Sequence, residues 1–187
     1  MVTRLHDWTR LLPGDFHDFH QGWVAELRSR LNREVLPSGY YAMLERVVGE
    51  PGQVPDEFST YDTLKNQVAI FRKSSKSRVA IIKFVSTGTK QDIAELHRFE
   101  ESLHTAVELG MRLLVVDVFP PTELQPQPIC HTVSLAVGDE IADLPLFLDD
   151  EQYVRVPLGA AYASALAGIA APTRRALQNS RHTESPA

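Results

Sequence analysis

The stretch from residue 78 to residue 121 constrains the fold more than any other part of the chain. It opens with an apolar, β-branched run over residues 78–85 and then shows helical periodicity over residues 92–109. A second apolar run covers residues 111–118, and Gly110 before it is typical of the left-handed residue that follows a helix. Two strands joined by a helix through short connections predict a βαβ unit whose strands are parallel neighbours.

The residues before this unit predict a helix, a strand and a hairpin. Aromatic residues and leucines recur at helical spacing over residues 15–35, and Asp15 is a good N-cap after a Pro-Gly pair. Residues 40–48 and 67–72 have the composition of strands. Because only a short basic, serine-rich turn separates residues 67–72 from the strand at 78–85, we expect an antiparallel hairpin.

The residues after the unit predict shorter elements. A strand is expected at 129–137, at the edge of the sheet, and extended segments are expected at 146–148 and 153–158. An alanine-rich helix should cover residues 159–171. The polar residues 173–187 are expected to form a flexible tail.

The order of these elements predicts an α/β fold, a single domain over residues 1–172 with a mixed central sheet. A length of 187 residues suffices for one buried core, and a net charge of −5 gives no general attraction to nucleic acid. The single cysteine, Cys130, excludes an intramolecular disulfide and is expected to be a buried structural thiol. Because no apolar run approaches the ~20 residues of a membrane span and the N-terminus lacks a sustained apolar stretch, we expect a cytoplasmic protein.

Three acidic residues, Glu45, Asp56 and Asp117, lie on or beside the predicted strands. Carboxylates that converge at strand ends form an oxygen-rich site suited to Mg²⁺ or Mn²⁺, which would activate water and stabilise charge on a phosphate. Each residue also has a simpler interpretation: Asp56 can cap a turn, Asp117 can face solvent and Glu45 can pair with an arginine.

Lys83 is an unusual residue because it lies in the middle of the apolar strand run IIKFV. A buried lysine is costly unless it is paired or neutralised. If the side chain points inward, we expect a carboxylate partner such as Asp56, Asp117 or Glu45. The alternative is a solvent-facing lysine whose aliphatic stem runs outward.

Two further segments have weaker patterns for binding. His17 and His20 share one face of the first helix and could ligate zinc, but no third ligand is identifiable, and partly buried histidines bonded to backbone or carboxylate are commoner. Residues 86–90 precede a helix, and exposed amides there would suit a phosphate, although the Walker A spacing is missing.

The predicted hairpin turn carries a cluster of basic residues. Its members are Arg72, Lys73, Lys76 and Arg78. Such a cluster can contact the backbone of a nucleic acid, whereas a solvated hairpin tip is the simpler interpretation.

Several blocks of the chain together resemble a bacterial family, domain of unknown function 4058, whose fold is similar to that of PD-(D/E)XK nucleases. The blocks are FHDFHQGW, PSGYYAMLER, VPD, RVAIIKFVSTGTK, LLVVDVFPP and DLPLFLDDEQYVRVPLGAAY. They cover most of the chain, and LLVVDVFPP and YVRVPL are the most specific. The resemblance implies a nuclease-like version of the α/β fold.

The resemblance also implies roles for particular residues. Asp56 matches the aspartate of the PD half-motif, and Glu45 matches an acidic position of the fold. Lys83 stands where the family has the acid of the (D/E)XK half-motif, while Ser86 and Lys90 match residues that follow it. A lysine in place of the acid removes an anionic ligand and adds a positive charge, and both changes oppose cation binding.

We therefore expect a nuclease-like protein without catalytic activity. The sequence does not identify its binding partners. One alternative is a Mg²⁺- or Mn²⁺-dependent phosphodiesterase or nuclease that uses Asp56 with Glu45 or Asp117. In that case Lys83 or Lys90 would orient water or stabilise the phosphate. A second alternative is a non-catalytic nucleic-acid binder that uses the basic turn at 72–78.

Overall fold

The central feature of the fold is a mixed five-stranded sheet. A computed structural model of the chain describes residues 3–47, 65–86, 89–90, 92–123, 125 and 132–179. The strands are β1 (Tyr40–Val47), β2 (Lys65–Arg72), β3 (Arg78–Phe84), β4 (Arg112–Asp117) and β5 (Thr132–Ser134). They lie in sequence order across the sheet; the β1–β2 and β2–β3 pairs are antiparallel, and the β3–β4 and β4–β5 pairs are parallel. This order confirms the predicted hairpin, the βαβ unit, the mixed sheet and the edge position of β5.

One helix covers one face of the sheet. It is α2 (Ile93–Glu108), which crosses from β3 to β4. The Asp92 side chain accepts hydrogen bonds from the first backbone amides of this helix, and Gly110 after it has φ +73°, as the sequence predicts. Leu96, Phe99 and Leu103 of α2 pack against Val85 and Val115 of the sheet, and they form a small second core.

The main core lies on the opposite face, under two packed helices. These are α1 (Pro13–Arg30), which continues as a π-helical turn over Leu31–Val35, and α3 (Leu158–Gly168). A Cβ added to Gly159 would lie 2.3 Å from the Ile141 carbonyl oxygen, so only glycine fits at the start of α3. The predicted N-cap at Asp15 is wrong: the helix begins at Pro13, because proline suits the first helical position.

The aromatic residues that recur in α1 form the centre of this core, as predicted. Trp23 has no exposed surface, and Phe19 is almost completely buried. Phe19 and Trp23 both pack against the ring of Tyr162 in α3. Aromatic rings in such edge-to-face contacts bury a large apolar area, so this cluster joins α1 to α3.

The C-terminal part of the chain adds a hairpin and a fourth helix. The hairpin strands are β6 (Leu144–Phe147) and β7 (Tyr153–Val156), and the helix is α4 (Ala171–Asn179). The prediction of a flexible tail from residue 173 is therefore wrong up to Asn179. The physical reason is that proline is tolerated in the first helical turn and that Leu177 then packs into the main core. Residues 180–187 lie outside the described residues.

The elements form a single α/β domain in which the sheet lies between helices on its two faces. Within the described part of the chain, no helix is both long enough and apolar enough to cross a membrane.

Candidate functional site

A buried ion pair joins the segment between β3 and α2 to the end of β4. The Lys90 Nζ atom lies 2.6 Å from Asp117 Oδ2, and both side chains are at least 97% buried. The same Nζ atom donates hydrogen bonds to the carbonyl oxygens of Phe119, at 2.7 Å, and Pro120, at 3.0 Å. An ammonium group has three donors, so all the donors of Lys90 are used inside the protein.

Both oxygens of the partner carboxylate also have a contact within the protein. While Asp117 Oδ2 contacts Lys90, Asp117 Oδ1 accepts a hydrogen bond from the Phe119 backbone amide at 3.0 Å. A phosphate that contacts the Lys90 Nζ atom would have to displace one of the three groups already bound to it. The prediction that Lys90 stabilises a phosphate is therefore not supported by its position, because its charge is neutralised within the fold.

A polar row crosses the α2 face of the sheet. It runs from Glu45 on β1 through Gln67 on β2 to Lys83 on β3. Glu45 pairs with Gln67 in the strand register. Val68 pairs with Ile82 in the antiparallel β2–β3 register, so extending that register by one residue places Gln67, which precedes Val68, opposite Lys83. Side chains at paired positions share a face of the sheet, which places all three on one side.

Glu45 has two partners of its own. Its Oε1 atom forms an ion pair with Arg78 Nη2 at 2.9 Å, and its Oε2 atom accepts a hydrogen bond from Gln67 Nε2 at 3.0 Å. The Gln67 Oε1 atom is buried and has no hydrogen-bond partner among the residues described. Pairing with an arginine is the simpler interpretation of Glu45 from the sequence, and the structure confirms it.

Lys83 is buried, with 8% of its surface exposed, so the solvent-facing alternative is wrong. Its Nζ atom donates to Ser102 Oγ at 2.7 Å and lies 5.6 Å from the centre of the Phe99 ring. Both contacts come from α2 and stabilise the charge, the second through a cation–π interaction. Asp117, one of the expected carboxylate partners of Lys83, is instead paired with Lys90.

The predicted Mg²⁺ or Mn²⁺ site is not assembled by the residues that can be compared. Glu45 and Asp117 lie on β1 and β4, and three strand spacings separate them by about 14 Å. Each is turned toward its own cation, so the two do not converge. Asp56, the third predicted ligand, lies outside the described residues. Among the described residues no group of three or more His, Cys, Asp or Glu side chains is placed to hold a metal ion.

The basic hairpin turn is partly neutralised within the fold. Arg72 lies 3.6 Å from Asp149 Oδ2 and covers the Tyr40 ring, and Arg78 pairs with Glu45. Lys73 and Lys76 are exposed at the tip. Only half of the predicted nucleic-acid cluster therefore presents a charge that no described carboxylate neutralises.

The two histidines of α1 have different surroundings. His17 Nε2 lies 3.4 Å from Gln21 Nε2, whereas the His20 ring stacks on Phe16 and meets the edge of Phe84. Although His20 as a residue retains some exposure, its Nε2 atom is buried without a hydrogen-bond partner among the described residues. Burial, with a smaller contribution from His17, lowers the pKa of His20 to about 4. The aromatic surroundings of His20 indicate a core residue and give no support to a zinc site.

The described residues include only part of the predicted phosphate loop and do not include Cys130. In the proposed phosphate loop, Ser86 Oγ accepts the Thr89 backbone amide at 3.1 Å, so this amide is already used. The rest of that loop, Thr87 and Gly88, lies outside the described residues, as does Cys130.

The sequence did not single out two buried polar groups that the structure shows. The Tyr162 hydroxyl accepts hydrogen bonds from Trp8 Nε1 and the His6 backbone amide, and it lies 3.0 Å from His6 Nδ1. The direction of the hydrogen bond between the Tyr162 hydroxyl and His6 Nδ1 depends on the tautomer of His6. The other group is the Gln125 side chain, which is 6% exposed. The Tyr162 contacts join distant parts of the chain, and no local pattern marks them.

Comparison with known proteins adds no relative. No family model, curated protein or solved structure matches this chain. The resemblance to the bacterial family and to the nuclease fold therefore stays a prediction.

Proposed function

We propose that this chain is a non-catalytic protein with a nuclease-like fold. In this proposal, lysine side chains occupy the positions at which a metal-dependent nuclease binds its cation. The observation that carries the proposal is the buried Lys90–Asp117 pair. Removing one partner of such a pair costs about 3–5 kcal/mol, because the other charge stays buried. A cation that competes with Lys90 for Asp117 has to overcome that cost.

The surroundings of Lys83 support the same proposal. By the resemblance, this position belongs to the acid of the (D/E)XK half-motif, and here it holds an ammonium group beside Ser102 and Phe99. A lysine at this position takes the place of an anionic ligand, so a metal ion would have one carboxylate fewer to bind it. The alternative of a metal-dependent phosphodiesterase is correspondingly disfavoured.

A cleavage assay tests this proposal. Purified protein is incubated with supercoiled plasmid, single-stranded DNA and RNA in the presence of Mg²⁺ or Mn²⁺, beside Asp56→Ala and beside Asp143→Ala, an exposed carboxylate, as a control. We expect no cleavage that depends on Asp56. Metal-dependent cleavage that Asp56→Ala abolishes and Asp143→Ala preserves would overturn the proposal.

A non-catalytic nucleic-acid contact is the second candidate, and the exposure of Lys73 and Lys76 at the hairpin tip favours it. Two phosphate contacts predict weak binding with a shallow salt dependence. Binding that weakens with salt and is lost in a Lys73→Gln, Lys76→Gln double variant supports this candidate. No binding to single- or double-stranded probes at low salt removes it.

A further inference from the structure

Two aromatic side chains lie side by side on the surface of the β6–β7 hairpin. Phe147 and Tyr153 are partners in the strand register, and the centres of their rings are 5.6 Å apart. Phe147 is 47% exposed and Tyr153 is 53% exposed, and no other Phe, Tyr or Trp among the described residues is as exposed. A cross-strand aromatic pair stabilises a hairpin, and this one also leaves about half of each residue's surface open to a partner.

The same side of the hairpin carries a cation. Because side chains alternate along a strand, Leu146 and Val154 are buried in the main core, while Tyr153 and Arg155 point away from it. Arg155 is exposed, and no described carboxylate forms an ion pair with it. An arginine beside aromatic rings can bind a phosphate of a molecule that lies on the rings. We call this side the outer face of the hairpin, and its members are Pro145, Phe147, Tyr153 and Arg155.

The acidic turn next to the aromatic pair is largely neutralised. Asp149 Oδ2 lies 3.6 Å from Arg72 Nη2, and Asp150 forms an ion pair with Arg112. The third acid of the turn, Glu151, is exposed and has no described cationic partner. The turn therefore presents one unneutralised carboxylate rather than three.

The basic tip of the β2–β3 hairpin lies next to this turn. The contact between Arg72 and Asp149 joins the two hairpins, and Lys73 directly follows Arg72 in the chain. On the two hairpins, the exposed cations without a described carboxylate partner are Arg155, Lys73 and Lys76. The exposed carboxylates without a described cationic partner are Glu151 and Asp143, which directly precedes β6. Although the whole chain has a net charge of −5, the balance of these exposed charges is positive, so this region favours an anionic partner.

We propose that the outer face binds single-stranded nucleic acid, with bases stacked on Phe147 and Tyr153 and a phosphate at Arg155. Stacking on aromatic side chains requires unpaired bases, because a duplex covers the base faces. The lysines of the basic tip then contact phosphates further along the strand. This proposal rests on the second candidate function, a non-catalytic nucleic-acid contact, and it names the class of nucleic acid and the surface that holds the bases.

Three probes of equal length test the stacking. One is a single strand of about twelve thymidines, the second is an abasic strand with the same phosphates, and the third is a duplex. Each carries a fluorophore, and its binding to the wild-type protein is measured by fluorescence anisotropy at low salt. We expect the thymidine strand to bind about tenfold more tightly than the abasic strand, as stacking of one base predicts, and more tightly than the duplex. Equal affinity for the thymidine and abasic strands would refute the stacking.

Variants locate the bases and separate this proposal from the function on which it rests. Phe147→Leu combined with Tyr153→Leu should abolish the preference for the thymidine strand. Leu12→Ala, which changes an exposed apolar residue outside the outer face, should keep it. Lys73→Gln combined with Lys76→Gln should weaken the binding of all three probes and preserve the preference.

Three results would overturn the proposal. A preference that persists in the Phe147→Leu, Tyr153→Leu variant would refute the outer face as the site and leave the lysine contact standing, whereas no binding of any probe by the wild type would refute both. Sedimentation that shows wild-type dimers, absent in the same variant, would show that a second copy of the chain covers the outer face. Because the comparison of probes uses the wild-type protein, the test decides even if the variant fails to fold.

Discussion

Lys83 and Lys90 are both buried, but they are stabilised in different ways. Lys90 is satisfied by a carboxylate and two carbonyl oxygens, whereas Lys83 contacts a hydroxyl group and an aromatic ring of α2. The position of Lys83 in an apolar run indicated that this lysine is unusual. The sequence did not reveal that Lys90 is buried, because Lys90 lies in a polar stretch of sequence and its partners Asp117, Phe119 and Pro120 lie at and after the end of β4.

At the same scale, the Lys90–Asp117 pair predicts a double-mutant result. Lys90→Met should destabilise the protein by about 3–5 kcal/mol, because the Asp117 carboxylate stays buried without its counter-charge. Lys90→Met combined with Asp117→Asn should recover a large part of the loss, since the asparagine oxygen can still accept the Phe119 amide. Urea denaturation measures both variants. A decrease of less than 1 kcal/mol in the free energy of unfolding of Lys90→Met would show that the buried ion pair is not formed as described.

His20 predicts how stability depends on pH. Burial lowers the pKa of His20 in the folded protein to about 4, while its pKa in the unfolded chain is about 6.5. Between these two pH values the unfolded chain binds a proton at His20 and the folded protein does not. The free energy of unfolding should therefore fall by about 3 kcal/mol as the pH falls from above 6.5 to 4. Denaturation curves at several pH values should show that the free energy of unfolding depends less on pH in His20→Phe than in the wild type. The exposed His104→Gln is the control and should keep the wild-type dependence. An unchanged slope in His20→Phe would contradict the buried neutral imidazole.

At the scale of elements, local sequence signals predicted most of the fold. Asp92 and Gly110 mark the ends of α2, and short connections determine the hairpin and the βαβ unit. The signals failed where two rules competed. Helix α1 begins at Pro13, two residues before the predicted N-cap Asp15. The segment Ala171–Asn179 is helical although its composition is polar, because its Leu177 side chain packs into the core.

The β2–β3 turn predicts a gain in stability. Lys76 has φ +53°, a left-handed conformation that costs a lysine more than a glycine. Lys76→Gly should raise the free energy of unfolding by about 0.5–1 kcal/mol. Lys73→Gly, in the same turn without a positive φ, should lower it by a similar amount. Thermal denaturation of the two variants tests this contrast, and a loss of stability in both would show that Lys76 is not strained.

At the scale of the whole molecule, the sequence predicted the fold better than the site. The α/β architecture follows from periodicity and loop lengths, which are local. Glu45 and Asp117 lie on the predicted strands, but the sequence could not show that two strands separate them and that each has a cationic partner. Those facts depend on sheet order and on side-chain partners distant in the chain.

We propose that lysines occupy the positions that a cation would need. The most direct test is isothermal titration of Mn²⁺ into the wild type, Lys83→Glu and Lys73→Glu, the last of which adds the same charge at an exposed position. We expect no Mn²⁺ binding by the wild type or Lys73→Glu, and binding only when Lys83 is replaced by the acid. Stoichiometric binding of Mn²⁺ by the wild type, lost in Asp56→Ala, would contradict it.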